Sequence, residues 1–381
     1  MLIAGYVIST VLVLLLLLAA GLAGLRRYRQ RALRERAVLP GPRSIAEGRF
    51  VTVGGGEQWL QIRGEDRDNP VLLVVHGGPG SPYSIFTPVL RDWEQHVTVV
   101  HWDRRGAGRT LGRNGTPASA DLTFERLVDD GIEVAEFLRH HLHQDKIILM
   151  AGSMGTLIGI PMAKRRPELF SAYVGTDFYV NMVQNDALGY AGTLERVRAA
   201  GNTNAAAALE VIGADPRAWS VKDWGVRMQW SMGTDPTPKS GFKLIFPLLL
   251  TKPDYTLRDI RSWLKGFAAT RDAMFAQFMQ WDARALGTDF EIPFFLFQGA
   301  SDVVTLTQPA VDYFAEVSAP DKALVLIDGA SHFCAFTHPV PFLAALRHHV
   351  LPLTATGHDR PSAPHDQGWT STTDPSSGIN G

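Results

Sequence analysis

Apolar residues fill positions 2–25 almost without interruption, a stretch long enough to cross a bilayer as one helix. Arg26, Arg27, Arg29, Arg31, Arg34 and Arg36 follow at once, so charge rises sharply where the apolar run stops. Further along, the pattern changes to short apolar runs. Those at 71–75, 97–101, 146–151, 172–176, 292–298 and 323–328 read as buried strands, and 50–53 with 59–63 read as an entry hairpin around Gly54-Gly55-Gly56. Residues 123–143 place Leu127, Ile132, Ala135 and Leu138 on one helical face. Strands alternating with helices predict an α/β fold, a mainly parallel sheet flanked by helices. Between the strand at 172–176 and Ile292 there is no strong strand alternation; Ala, Leu, Trp and Met are frequent, and 191–212 and 262–281 look helical, which predicts an inserted helical cap. After Leu353 the composition turns to Ser, Thr, Gly, Pro and Asp, the signature of a disordered tail.

These changes divide the chain into a transmembrane anchor at 2–25, a basic juxtamembrane linker at 26–48, a core in two parts at 49–176 and 291–352, a cap at 177–290 and a tail at 353–381. A cleavable signal peptide carries positive charge before its apolar stretch, whereas here nothing basic but the amino terminus precedes it, so an uncleaved anchor is expected. By the positive-inside rule the arginine flank is cytoplasmic, which predicts a single-pass membrane protein with its main domain on the inner face. Lys+Arg 37 against Asp+Glu 38 leaves no basic face beyond that local cluster, so a nucleic-acid partner is not expected. The single Cys334 rules out an intrachain disulfide and reads as a small buried filler. His140, His141 and His143 lie near a helix end, where cations are favoured, and are not read as metal ligands.

The candidate chemistry begins at Ala151-Gly152-Ser153-Met154-Gly155, between an apolar strand and a helical segment. A serine on so tight a turn needs small neighbours two places to either side, and the turn pushes its hydroxyl above the sheet. Serine is a poor nucleophile until a base accepts its proton and a third group orients that base. Asp302 follows the strand at 292–298, and His332 follows the one at 323–328. Chain order Ser153, Asp302, His332 is that of an α/β-hydrolase, with His338 as rival base. His76-Gly77-Gly78-Pro79-Gly80, after the strand at 71–75, supplies the fourth element: the amides of Gly78 and Met154 are expected to stabilise a developing oxyanion, with Gly77 also possible. No Gly-Lys-Ser/Thr follows, so this is not a phosphate loop.

Together with Trp102-Asp103-Arg104-Arg105-Gly106-Ala107-Gly108-Arg109-Thr110 and the Gly-Ala-Ser-Asp and Gly-Ala-Ser-His strand endings, these motifs resemble the proline iminopeptidase branch of the α/β-hydrolases over residues 50 to 350. Three positions depart from that branch: Arg104 replaces a Gln, Thr110 a Ser, and Met154 a Trp. The resemblance implies a serine hydrolase with no metal or organic cofactor and a small-molecule or short-peptide substrate. Two activities stay open. An aminopeptidase needs a carboxylate for the substrate ammonium; Asp177 is the first candidate, with Asp186 and Glu195 behind it. An esterase or lipase of small or lipid-derived esters fits the anchor and the apolar cap. The cap aromatics Trp224, Trp230, Trp263, Phe267, Phe275, Phe278 and Trp281 read mainly as cap core.

Overall fold

The computed structural model describes residues 2–237 and 240–354. An eight-stranded sheet is ordered β1-β2-β4-β3-β5-β6-β7-β8. Its strands are β1 (Ile45–Val53), β2 (Gly56–Gly64), β3 (Val71–Val75), β4 (Thr98–Asp103), β5 (Ile147–Gly152), β6 (Phe170–Thr176), β7 (Phe294–Gly299) and β8 (Lys322–Ile327). β1 and β2 form an antiparallel hairpin and β2 pairs antiparallel with β4, while β3 to β8 run parallel. Every residue of β3, β4, β5 and β7 is buried, as strands covered on both faces require.

The helices are α1 (Leu2–Arg36), α2 (Gly108–Asn114), α3 (Phe124–His141), α4 (Thr156–Arg165), α5 (Met182–Ala199), α6 (Thr203–Ile212), α7 (Val221–Gly233), α8 (Gly241–Thr251), α9 (Leu257–Met279), α10 (Thr307–Glu316), α11 (Cys334–Thr337) and α12 (Pro339–Ala345). α3 starts where Thr123 caps it by accepting from the Arg126 amide, an interaction worth about 1 kcal/mol. α5 to α9 form a helical insertion between β6 and β7. Its two ends are held side by side: Asn181 bridges Asp282, and the Ala283 amide donates to the Val180 carbonyl.

Several boundaries differ from the sequence reading, each for a local reason. The helix expected at 191–212 is two helices, broken where Gly201 takes φ +65° and Asn202 caps α6. α9 begins earlier than 262 because Thr256 and Asp259 form a capping box. The hairpin turns tightly at Gly54 and Gly55, both with positive φ, so pairing starts at Gly56 and extends back to Ile45. α1 does not stop at residue 25 but continues unbroken through the arginines to Arg36. Residues 6–25 of α1 expose Tyr6, Leu14, Leu18 and Leu25, which makes this helix a candidate membrane span. Of the expected tail, Leu353 and Thr354 belong to a final helical turn, and 355–381 lie outside the described residues.

Candidate active site

β5 delivers Ser153 into a strand-to-helix turn with φ +54°, a left-handed conformation that costs on the order of 1–3 kcal/mol in a non-glycine residue. The turn survives because everything around it is small. A Cβ on Gly155 would stand 2.2 Å from the Val75 carbonyl oxygen, so that position tolerates only glycine. Ala151 fits where a glycine is usual because its methyl faces Gly159, whose own Cβ would come within 2.5 Å of it. Gly77 presses against Ser153 just as closely, its notional Cβ 2.5 Å from the Ser153 Cβ and from the Tyr83 hydroxyl. Gly78 follows with φ +27°. The buried Arg104 donates to the His76 carbonyl at 2.7 Å and so ties this glycine loop to the end of β4.

Asp302 lies past the end of β7 and His332 past the end of β8, and both are carried to Ser153. His332 Nε2 is 3.1 Å from Ser153 Oγ, and His332 Nδ1 is 3.0 Å from Asp302 Oδ2. This pattern assigns the Nδ1 proton to the Asp302 side and leaves the Nε2 lone pair for the Ser153 hydroxyl. Asp302 is itself fixed: Oδ1 accepts from the Val304 and Thr305 amides at 2.8 and 3.0 Å, and Oδ2 accepts from the Thr305 hydroxyl at 2.6 Å. His338 bonds with the adjacent Thr337 hydroxyl at 2.9 Å, and the imidazole beside Ser153 is that of His332.

Asp177 is buried just past the end of β6 and lies close to Asp302 and His332. Its φ is +47°, and Oδ1 accepts from the amides of Phe333 at 3.0 Å and Cys334 at 3.4 Å, so it braces the loop that carries His332, while its buried Oδ2 has no hydrogen-bond partner among the described residues. Burial pushes its carboxyl up to about 6, with His332 opposing the shift and Asp302 adding to it. Burial also resists protonation of His332, but Asp302 and Asp177, with Asp235, outweigh it and raise the imidazole above its ordinary value. Asp177→Asn keeps an oxygen for the two amides and removes one of those charges. The acid limb of the pH–rate profile, which reports neutral His332, is therefore expected to move to lower pH; an unmoved limb would leave Asp177 a purely structural role.

The other expected carboxylates are elsewhere. Asp186 is buried against Arg227 at 3.5 Å, and Glu195 is exposed on α5. Two residues were missed. Thr305 donates to Asp302 and lies 3.2 Å from His332 Nδ1. Asp235, just past α7, accepts from the Thr237 amide and hydroxyl through Oδ1, while its buried Oδ2, like that of Asp177, has no hydrogen-bond partner among the described residues. Only a hydroxyl three places after Asp302 hinted at Thr305, and nothing in the sequence marked Asp235.

Asp177, Asp302 and His332 bring three potential ligand atoms within 4.8 Å of one another, and the two imidazole nitrogens face Asp302 and Ser153. Cys334 is wholly buried beside the Thr176 hydroxyl, and burial pushes its thiol up, as suits a filler. Among the cap aromatics, Trp224, Trp263 and Phe278 are buried in the cores.

The sequence pattern of the alpha/beta hydrolase fold matches residues 70–339. The chain belongs to this family. The probable aminopeptidase YbaC of Bacillus subtilis (strain 168) is 26% identical over 321 residues, covering 82% of this chain and 99% of that one. A proline iminopeptidase-related protein from Thermus thermophilus has a crystal structure similar at TM-score 0.57 and 18% identity, over 81% of this chain and 99% of that one. A membrane phospholipase A is similar at TM-score 0.56 and 18% identity, over 90% and 96%. The hydrolase thus resembles the proline iminopeptidase branch of its family, and the two structures share its fold.

Proposed function

We propose that this hydrolase works through an acyl-enzyme on Ser153. His332 Nε2 takes the hydroxyl proton as Ser153 Oγ attacks a carbonyl carbon, and then gives it to the departing nitrogen or oxygen. Water, activated by the same imidazole, releases the acid and restores the serine. Asp302 holds the imidazole in its tautomer and stabilises the imidazolium. The amides of Gly78 and Met154 are the donors for the oxyanion, with Gly77 letting the backbone come close. The observation that carries this reading is the hydrogen-bonded array Ser153–His332–Asp302.

For the substrate we propose an amide or short peptide with a free amino terminus, cleaved as a proline iminopeptidase does. Asp177 and Asp235 support this choice: each has a buried carboxylate oxygen without a hydrogen-bond partner among the described residues and lies close enough to His332 to favour its charged form, which makes them the candidate sites for an ammonium group. Asp235→Asn is expected to raise KM for proline-, alanine- or leucine-arylamides at least about tenfold, the order of one charge-assisted hydrogen bond. Its hydrolysis of p-nitrophenyl esters, which lack the ammonium, should hardly change. Equal losses on both, or ester turnover without amide turnover in the wild type, favour the second reading, a carboxylesterase or lipase-like hydrolase; the apolar face of α8 speaks for it.

We further propose that α1 spans a membrane with its arginines and the hydrolase on the cytoplasmic side. Protease added to intact cells should then spare the domain. Digestion from outside, or a mature amino terminus starting after Gly24, would reverse this topology.

A further inference from the structure

α8 is the most apolar helix of the cap, and its two faces look in opposite directions. Leu244, Ile245, Leu248 and Leu249 turn inward onto a cluster that includes Tyr83, Phe86, Phe333 and Phe336. Its first residue reaches the site: a Cβ on Gly241 would be 2.6 Å from the Phe333 side chain and 2.9 Å from the His332 carbonyl oxygen. Lys243, Phe246, Pro247 and Leu250 recur at helical spacing on the outer face, where Phe246 is 63% and Leu250 49% exposed. Ser153 and His332 beneath are only 4% and 3% exposed.

What lies next to that outer face is set by α1. Arg26, the first charge after the apolar stretch, donates to the carbonyls of Leu250 at 2.9 Å and Tyr255 at 2.7 Å. Gln30 donates to Lys252 and Tyr255, and Arg34 to Pro253. A basic helix thus clamps the carbonyls at the carboxyl end of α8, where cations are favoured. If residues 6–25 cross a bilayer, Arg26 marks the level of the headgroups, and the end of α8 is fixed at that level. The start of α9 adds exposed Leu257 and Leu264 among Arg258, Arg261 and Lys265. Aromatic and leucine side chains between cations are the composition of a surface that lies in an anionic membrane interface.

We propose that the outer faces of α8 and the first turns of α9 dock on the anionic phospholipid bilayer that α1 spans, with Phe246 and Leu250 in the interfacial layer. The inference rests on the reading of α1 as a membrane span and is independent of the choice between amide and ester. It gives the cap a fixed orientation at the membrane surface.

The test uses the full chain in vesicles of equimolar phosphatidylcholine and phosphatidylglycerol, with an environment-sensitive fluorophore on a single introduced cysteine; Cys334, being wholly buried, stays unlabelled. Sites are Phe246→Cys in the docking face, Leu14→Cys in the span, and Val211→Cys, 87% exposed on α6, as the aqueous control. Blue-shifted emission and quenching by spin-labelled lipid are expected at positions 14 and 246 and not at 211. A label at 246 that stays as water-like as the one at 211 while 14 is quenched overturns the proposal. Water-like emission at 14 instead overturns the membrane span on which it rests. As a functional arm, Phe246→Asp with Leu250→Asp should remove the shift of a label on α9 at Leu264→Cys while leaving turnover in detergent unchanged on whichever of the arylamides or p-nitrophenyl esters the wild type hydrolyses; an unchanged shift contradicts docking through α8.

Discussion

Ser153→Ala is expected to lose turnover by about a millionfold, because no other group can form the acyl-enzyme once the serine oxygen is gone. The local geometry supports so large an effect. The hydroxyl sits on a left-handed turn that aims it at His332 Nε2 3.1 Å away, and the nearest hydroxyl on the same turn, Thr156, is bonded to the Ser153 carbonyl at 2.7 Å. The fold should survive, since alanine fills the same space and Ser153 Oγ supports nothing but the imidazole among the described residues. The measurement is the rate on arylamides and p-nitrophenyl esters together with the thermal midpoint. A variant with the wild-type midpoint and more than about one thousandth of its rate would mean that binding and oxyanion stabilisation alone do not explain the remainder, and that another nucleophile operates.

His332→Ala is expected to cost nearly as much, because a serine without its base is as inert as no serine. The orienting carboxylate carries a related effect. Asp302→Asn leaves the shape of the site intact but can donate to Nδ1, which moves the imidazole proton to Nε2 and removes the acceptor that Ser153 needs; a loss of about ten-thousandfold follows from the serine-protease precedent. Two features sharpen the expectation. Asp302 Oδ2 accepts from the Thr305 hydroxyl and also from the Gln298 side-chain amide at 3.3 Å, so an asparagine nitrogen there faces the Gln298 N–H, and some loss of stability should accompany the loss of rate. Asp177 lies nearby, but it is Asp302 that stands 3.0 Å from His332 Nδ1, while Asp177 Oδ1 is held by the Phe333 and Cys334 amides. Retained activity in His332→Ala combined with its loss in His338→Ala would transfer the role of base to His338.

Much of this was legible in the sequence where the signal is local. The buried strand at 71–75 coincides with β3, because a run of Val and Leu between Pro70 and a glycine loop has few alternatives. The elbow, the glycine loop and the residues ending β7 and β8 were found because each chemistry sits at the carboxyl end of a parallel strand, where loops of a fixed scaffold meet. Where contacts come from distant parts of the chain, local pattern was silent. Asp177 looked like a free acid after a strand, and only the fold brings the Phe333 and Cys334 amides to it. Asp235 follows a cap helix, and only tertiary packing brings its charge near His332. The split between α5 and α6 shows the reverse failure: Gly201 and Asn202 were local signals of a stop and a cap, masked by alanine-rich sequence on both sides.

The central claim, that Ser153 is the acylated nucleophile, meets its most direct test in labelling with a fluorophosphonate probe followed by mass analysis of the modified peptide. The account predicts one adduct, on Ser153 of the wild type, absent from Ser153→Ala and strongly slowed in His332→Ala. Equal labelling of the wild type and Ser153→Ala, or an adduct on any other residue, would contradict it.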